Sequence, residues 1–338
     1  MDLILKQKIT INHKVLPLVN DIIIKTSRNT FTDTAVFTFP NKINAQNQKI
    51  SELIELGSPV KIEIGYEPFL FTEFEGYVSQ IVPEKTATIF CENETYKLKR
   101  QSIGRDVILK QTSTLELIKE IYDGKVEVYE ANIGDWKVSK NATVIQVLSE
   151  LQAKFKIYSY FRGDVLIVGS QADPLTQNRR YLKAHFQKNI PTGESNFNFK
   201  NASADLIIVK ASALNRKGEK KAVFAYYSGT PAKIIYSQTK PKNGTVNEFN
   251  IGGQSEISIT DLKRLAKIRL EALSFTGCDG SVTIYGFPKN PCANHGEICQ
   301  IIDNEVPEKN GNYAIVSVTK KFGKQTGFRQ ILELGISI

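Results

Sequence analysis

The chain has 338 residues, 41% of them hydrophobic and 23% charged, with a formal net charge of +9. That length holds two or three domains of roughly 100–200 residues each, and the composition is ordinary for a folded chain, with nothing that forces disorder. No apolar run approaches the roughly 20 residues of a membrane span, so no stable membrane insertion is expected. The basic residues come in small groups, such as Lys97, Lys99 and Arg100, or Lys320, Lys321 and Lys324, and no tract dominates. They read as solvated faces and loops more than as one polyanion-binding surface. The N-terminal "MDLILKQKITINHKV" is polar throughout and lacks the apolar core of a signal peptide. Folding in a cytoplasm is therefore expected, with Cys91, Cys278, Cys292 and Cys299 as reduced thiols.

Residues 1–96 read as short strands. "LKQKITIN", "DIIIKTS", "DTAVFTFP", "VKIEIGY" and "ATIFCEN" alternate or are β-branched, and Asn, Asp, Gly or Pro bound them. One two-turn helix is expected over Ile50–Leu56, ending at Gly57. Such a stretch suggests a barrel or sandwich. Residues 97–183 change character. "STLELIKEIY" opens on a capping box of Ser113 and Glu116, with Leu115, Ile118, Ile121 and Tyr122 on one face. "ATVIQVLSELQAKFKI" sets Val144, Val147, Leu148, Leu151 and Phe155 on one helical stripe. A strand pair turning at Arg162-Gly163-Asp164 follows, and Trp136 reads as a core anchor. From 184 strands resume. "SQTKPKNGTVNEFNIGGQSE" reads as a long loop, and a helix over about 260–275 is capped by Thr260. Its apolar face carries Leu262, Leu265, Ala266, Ala272 and Leu273, while Lys263, Arg264 and Lys267 lie off it. "CDG" offers a hairpin turn, and four strands complete the chain.

The two ends share a grammar. Each has a strand after a glycine (Gly57, Gly296), a link, and a Gly-Tyr or Gly-Asn-Tyr opening (Gly76-Tyr77, Gly311-Asn312-Tyr313) into a long alternating strand. This predicts two versions of one unit.

The chemistry-bearing patterns are sparse. There is no HExxH, GxSxG, GxxxxGK[ST] or strand-borne GxGxxG. "CANHGEIC" brings Cys292, His295 and Cys299 close in sequence, but the second ligand pair of a zinc site is missing. Glu73 with Glu75, and Glu92 with Glu94, lie two apart and so share a strand face, which reads as solvated rather than as a glycosidase pair. Catalytic, cofactor-binding and metal-ligating residues are accordingly assigned as none, and no enzyme activity is expected.

The succession of segments resembles the baseplate-hub proteins of contractile tails, namely the phage late control or tail protein D family and the hub portion of VgrG proteins. The resemblance is carried by Val60–Glu84, by "STLELIKEIY", by Trp136–Gly169, and by "LKRLAKIRLEALSFTGCDGSVTIYGFP…GEICQIID…GNYAIVSVTKKF". It implies a β-rich α+β chain with two tube-like β-barrel domains flanking a small α+β domain. The boundaries expected are 1–96, 97–183 and 184–338, the last including the helix at about 260–275. It further implies a homotrimer that adapts a sixfold inner tube to a threefold spike around a central channel. The partners would be tail tube protein, a separate spike polypeptide, and baseplate wedge or sheath components, with DNA or effector only as passing cargo. The chain would be made in a bacterial host cytoplasm and built into a virion tail or injection apparatus. Lys263, Arg264 and Lys267 are the candidate partner-contact surface. The competing readings are a peptidoglycan-binding or wall-cleaving tail-associated protein and a basic nucleic-acid-binding protein.

Overall fold

The computed structural model describes residues 4–16, 19–41, 54–169, 180–191, 195–202, 204, 206–215, 217–254 and 257–338. The chain is β-rich α+β. It forms two compact units, each built from separated segments. One comprises Met1–Lys97, Arg179–Asn198 and Asp279–Ile338; the other comprises Leu98–Asn178 and Phe199–Cys278. The three successive segments expected from the sequence do not each map onto one unit, because 199–278 groups with 98–178. The helix expected at 260–275 is present, as Ile259–Leu273, and belongs to that second unit.

The first unit contains a duplicated six-strand arrangement. In its first copy the strands are β1 (Leu5–Ile11), β2 (Asp21–Ser27), β3 (Thr34–Pro40), β4 (Pro59–Tyr66), β5 (Phe69–Val82) and β6 (Thr86–Glu92). The second copy comprises β7 (Tyr181–His185), β8 (Ser195–Asn196), β9 (Ser281–Tyr285), β10 (Ile298–Ile302), β11 (Gly311–Gly323) and β12 (Gly327–Ser337). The pairing order is β2-β3-β6-β5-β4-β1 in the first and β8-β9-β12-β11-β10-β7 in the second. They differ at the first strand, since β1 pairs β4 antiparallel and β7 pairs β10 parallel.

Backbone detail repeats as well. Gly57 and Gly296 both stand at positive φ, 80° and 81°. Gly57 N–H donates to Val78 O (2.8 Å), and Val78 N–H to Ser58 O (3.0 Å). Gly296 N–H donates to Ile315 O (2.7 Å), and Ile315 N–H to Glu297 O (2.9 Å). A bulge follows each time, between Val78 and Gln80 and between Ile315 and Ser317. The sequence had matched these glycines correctly. It misplaced the next landmark: Pro59 pairs Tyr77 while Ile298 pairs Ala314, so Gly76-Tyr77 corresponds to Tyr313-Ala314 and not to Gly311-Asn312-Tyr313. Of the helix expected at Ile50–Leu56, residues 50–53 lie outside the described residues, and Leu56 enters a turn.

Alternation explains the core. In β2, Ile22 and Ile24 face inward, as do Phe37 and Phe39 of β3, Ile62 and Ile64 of β4 and Ile89 of β6. Phe322 and Phe328, from the β11–β12 hairpin, join this same core.

In the second unit, α1 (Thr114–Ile121) and α2 (Val144–Phe155) begin at the capping boxes Ser113/Glu116 and Thr143/Gln146. α2 buries the five residues its stripe predicts. α1 instead buries Thr114, Leu117, Ile118 and Ile121, one step round from the expected face; Leu115 is half-buried and Tyr122 is the C-cap, beyond the last turn. Trp136 is buried, its ring centroid 6.1 Å from that of Phe155. α3 (Ile259–Leu273) is capped by Ser258, whose hydroxyl accepts Asp261 N–H, and not by Thr260. It packs on the strands Ile207–Leu214 and Lys220–Ser228. The stretch read as a loop contains a strand, Thr245–Gln254, which pairs parallel with Ile207–Leu214. Its polar side chains hid a backbone ladder. The hairpin turn expected at "CDG" does not form: Cys278 ends a strand, the chain bends at Gly280, and Asp279 N–H donates to Asn198 O.

A left-handed backbone costs an L-residue about 1–3 kcal/mol. Gly57→Ala and Gly296→Ala are each expected to destabilise the protein by that order, read as a lower urea midpoint. At Gly57 a Cβ would also come within 3.2 Å of Tyr96 Oη.

Candidate functional site

The two copies are joined edge to edge. β2 lies antiparallel on β11, with pairs running from Ser27↔Ser317 to Asp21↔Gly323. The β11–β12 hairpin is longer than its counterpart. β5 and β6 last pair at Val82↔Thr88, whereas β11 and β12 pass the equivalent Thr319↔Ile331 and continue to Gly323↔Gly327. The added residues carry Lys320, Phe322 and Phe328. Phe328 lies 5.7 Å from Tyr66 and 5.2 Å from Phe322, centroid to centroid.

At the joint sits a buried ion pair, Lys320 Nζ to Glu73 Oε2 at 2.7 Å, with side-chain exposures of 1% and 2%. The sequence placed Glu73 beside Glu75 on a solvated face. A bulge overturns that: Ile62 pairs Phe74 and Glu63 pairs Thr72, leaving Glu73 opposite no partner and turned inward. Glu75 stays exposed. Lys320, grouped by the sequence with surface lysines, is on the inward phase of β11 with Val318 and Phe322. That phase was the available signal.

The connection between β9 and β10 is organised on this pair. Cys292 N–H donates to Glu73 Oε1 (2.7 Å), Lys320 to Asn294 Oδ1 (3.3 Å), and Ala293 N–H to Gln330 Oε1 (2.6 Å). Arg180 donates to Pro291 O (3.1 Å), to Cys292 O, and to Glu297 Oε2 (3.0 Å). Within the "CANHGEIC" stretch Cys292, His295 and Cys299 are buried, and among the described residues no group of three or more metal-ligating side chains forms. Burial alone would push the Lys320 ammonium down, but Glu73 beside it, with Cys292 and Asp33 adding, holds it above the ordinary lysine value.

Asp33, at the β2–β3 connection, accepts Ser27 N–H (3.1 Å) and Asn93 Nδ2 (3.4 Å). Burial raises its carboxyl to about 7 against the pull of the Ser27 bond and of Lys320. Of the second Glu pair, Glu94 accepts Tyr77 Oη (2.7 Å) and pairs with Lys97 (3.2 Å).

Lys263, Arg264 and Lys267 all lie exposed on α3. Each has a neighbour within its own unit. Lys263 Nζ stands 5.6 Å from the Tyr236 ring. Arg264 donates to Glu130 O (2.8 Å) and covers Tyr129. Lys267 pairs with Glu271 at 3.7 Å. Arg269, which the sequence passed over, ties α3 to Asn247 Oδ1 and Lys154 O, both at 2.8 Å.

Removing one partner of a buried ion pair typically costs about 3–5 kcal/mol, because the other charge is stranded. Glu73→Leu and Lys320→Met are each expected to lower unfolding stability by that order, and the two together to recover most of it; urea titration of the parent, the two single variants and the double checks this cycle. The Asp33 proton is retained to about pH 7 in the folded chain, whereas an unfolded aspartate loses it near 3.8. Its contribution is therefore full below about pH 4 and is lost as pH rises through 7. Asp33→Asn is expected to flatten this part of the stability–pH curve, measured as urea midpoints from pH 4 to 8.

No protein-family model and no curated protein matches the chain. Solved structures do. A tail protein from Neisseria meningitidis MC58 matches with a TM-score of 0.67 at 13% identity, over 98% of this chain and 96% of that one. The 43 kDa tail protein of prophage MuSo2 from Shewanella oneidensis matches with a TM-score of 0.62 at 14% identity, over 97% of each. The E. coli c3393 protein is described as a type VI secretion component with structural similarity to T4 tail proteins gp27 and gp5. It matches with a TM-score of 0.54 at 11% identity, over 98% and 77%. At such identities the likeness establishes the fold: this chain is folded as those tail proteins are.

Proposed function

We propose that the chain is the structural hub of a contractile injection apparatus, a homotrimer that adapts a sixfold inner tube to a threefold spike around a central channel. One observation carries the reading: a six-strand unit occurs twice in one chain, with the same pairing order, joined through a shared sheet. Duplication within a chain lets three copies present six similar faces, and head-to-tail contacts close such rings. The two copies are the candidate tube-like domains. The fold shared with tail proteins and a type VI secretion component supports the same assignment. The role is non-enzymatic. Tail tube protein and spike protein are the proposed axial partners, wedge or sheath components the peripheral ones, and DNA or effector the passing cargo. The α3 face of Lys263, Arg264 and Lys267 is the proposed contact surface for one of these. The chain would end in a virion tail or secretion baseplate.

Electron microscopy of the purified protein, viewed end-on, tests this. Threefold particles with six lobes around a hole are expected. Monomers alone, both in isolation and with tube and spike proteins added, would overturn the hub assignment.

A further inference from the structure

The second unit holds a sheet with one uncovered face. Its four strands run in the order Lys233–Ser237, Lys220–Ser228, Ile207–Leu214 and Thr245–Gln254. Register fixes which side chains share a face, since residues directly opposite each other stand on the same side. α3 takes one face. Arg269 bonds Asn247 and lies 5.0 Å from the Phe249 ring, and Lys263 stands 5.6 Å from the Tyr236 ring. Asn247, Phe249 and Tyr236 pair with Val209, Ala211 and Ala225, all of one phase. The alternate residues make the other face. Ile235, Tyr226, Ile208 and Val246 cross it as one row, and Ser237, Phe224, Lys210 and Glu248 as the next. No helix among the described residues packs on this side.

Apolar side chains are left open there. Ile235 is 40% exposed, and Tyr226 and Val246 are half-buried beside the buried Ile208. Lysines surround them. Lys220 and Lys233 share the face, opposite Leu214 and Ser228, and both are exposed. Lys210 bonds the exposed Glu248 at 2.8 Å, and its ammonium stands 5.9 Å from the Phe224 ring. The Lys210 bond, with the charges of Lys220 and Lys240 adding, holds the Glu248 carboxyl below the ordinary glutamate value. Lys210, Lys220, Lys233 and Lys240 thus stand against one carboxylate, and among the described residues only Lys210 of the four has an ion-pair partner. Along the chain, Val223, Ala225 and Tyr227 flank Phe224 and Tyr226. The cations are brought to these rings by the neighbouring strands.

We infer that this face binds single-stranded nucleic acid. Its ligand must be anionic to answer the lysines, and must carry flat apolar groups to cover Tyr226 and its row. A single strand offers both, phosphates for the ammonium groups and unstacked bases for the aromatic rings. Phe224 and Tyr226, two apart on one strand, present their rings along the same line, with lysines on either side. A duplex keeps its base faces inside the stack, and an acidic protein segment supplies charge without a stacking surface. Recognition through phosphates and ring faces tolerates any sequence. The site goes beyond the hub reading and does not depend on it.

Fluorescence anisotropy of the whole chain with a labelled oligothymidine, long enough to fill a site of about 4–16 nucleotides, tests it. Binding that weakens with salt is expected. Tyr226→Ala is expected to weaken it by about 5- to 150-fold, the worth of one stacked base, and Tyr226→Phe to keep the parent affinity. Lys220→Gln with Lys233→Gln is expected to lower the salt slope by about 1.4. The same loss of charge at Lys14 and Lys289, exposed in the first unit, is expected to leave the slope unchanged. Both lysines of the site are exposed, so that pair carries the test if Tyr226→Ala fails to fold. Absence of binding at low salt overturns the inference and leaves the hub reading standing. Equal affinity for a duplex of the same length overturns it too, as does an equal effect from the distant lysine pair. Competition by polyglutamate with no effect of Tyr226→Ala overturns it in favour of an acidic protein partner.

Discussion

The buried pair of Glu73 and Lys320 is the constraint around which the first unit is arranged. Two charges taken out of water are tolerable only when each is matched by the other and by further polar groups. Here that demand recruits Cys292 N–H, Asn294 and, at longer range, Asp33. It requires a bulge to turn Glu73 inward and a lengthened hairpin to deliver Lys320. Replacing such a pair by apolar groups is often neutral or stabilising, so its presence is better explained by register than by strength. A slip of β2 along β11 by one residue would reverse every side chain of the strand and would carry Lys320 away from its partner.

The duplication is preserved in pairing order, in positive-φ glycines and in bulges, and hardly at all in side-chain identity. The conserved elements are those that backbone geometry dictates. The β-sheet order needs only alternation and turn positions, and a φ near +80° needs glycine. What varies is what packing permits to vary: the length of the β11–β12 hairpin and the direction of the first strand. The second unit is built from the segment between the copies and from the segment between β8 and β9. Both are connections, where long additions cost little loop entropy.

Much of this was legible beforehand because one-dimensional periodicity encodes it. The burial of every second residue of β2 and the five-residue stripe of α2 follow directly from the spacing of apolar residues. The strand Thr245–Gln254 was missed because its stabilisation is a backbone ladder that polar side chains do not advertise. The ion pair was missed for a different reason. Glu73 and Lys320 are 247 residues apart, and a bulge, which no local pattern announces, broke the alternation by which Glu73 was read. Lys320 carried a signal in its phase with Val318 and Phe322. On α3, Lys263, Arg264 and Lys267 lie exposed, and Arg269, which the apolar stripe did not single out, joins Arg264 in tying the helix to neighbouring backbone and side chains.

The lengthened hairpin occurs once per chain, and that breaks the equivalence the duplication otherwise creates. A joint within a chain is riveted by Lys320, Phe322 and Phe328 reaching into the first copy. The β5–β6 hairpin ends at Val82↔Thr88 and has no counterpart of these three side chains. The duplicated pair therefore has a direction: the second copy is the one that grips and the first the one that is gripped, so loosening the β11–β12 hairpin would free the first copy's core without unmaking the second's strand order.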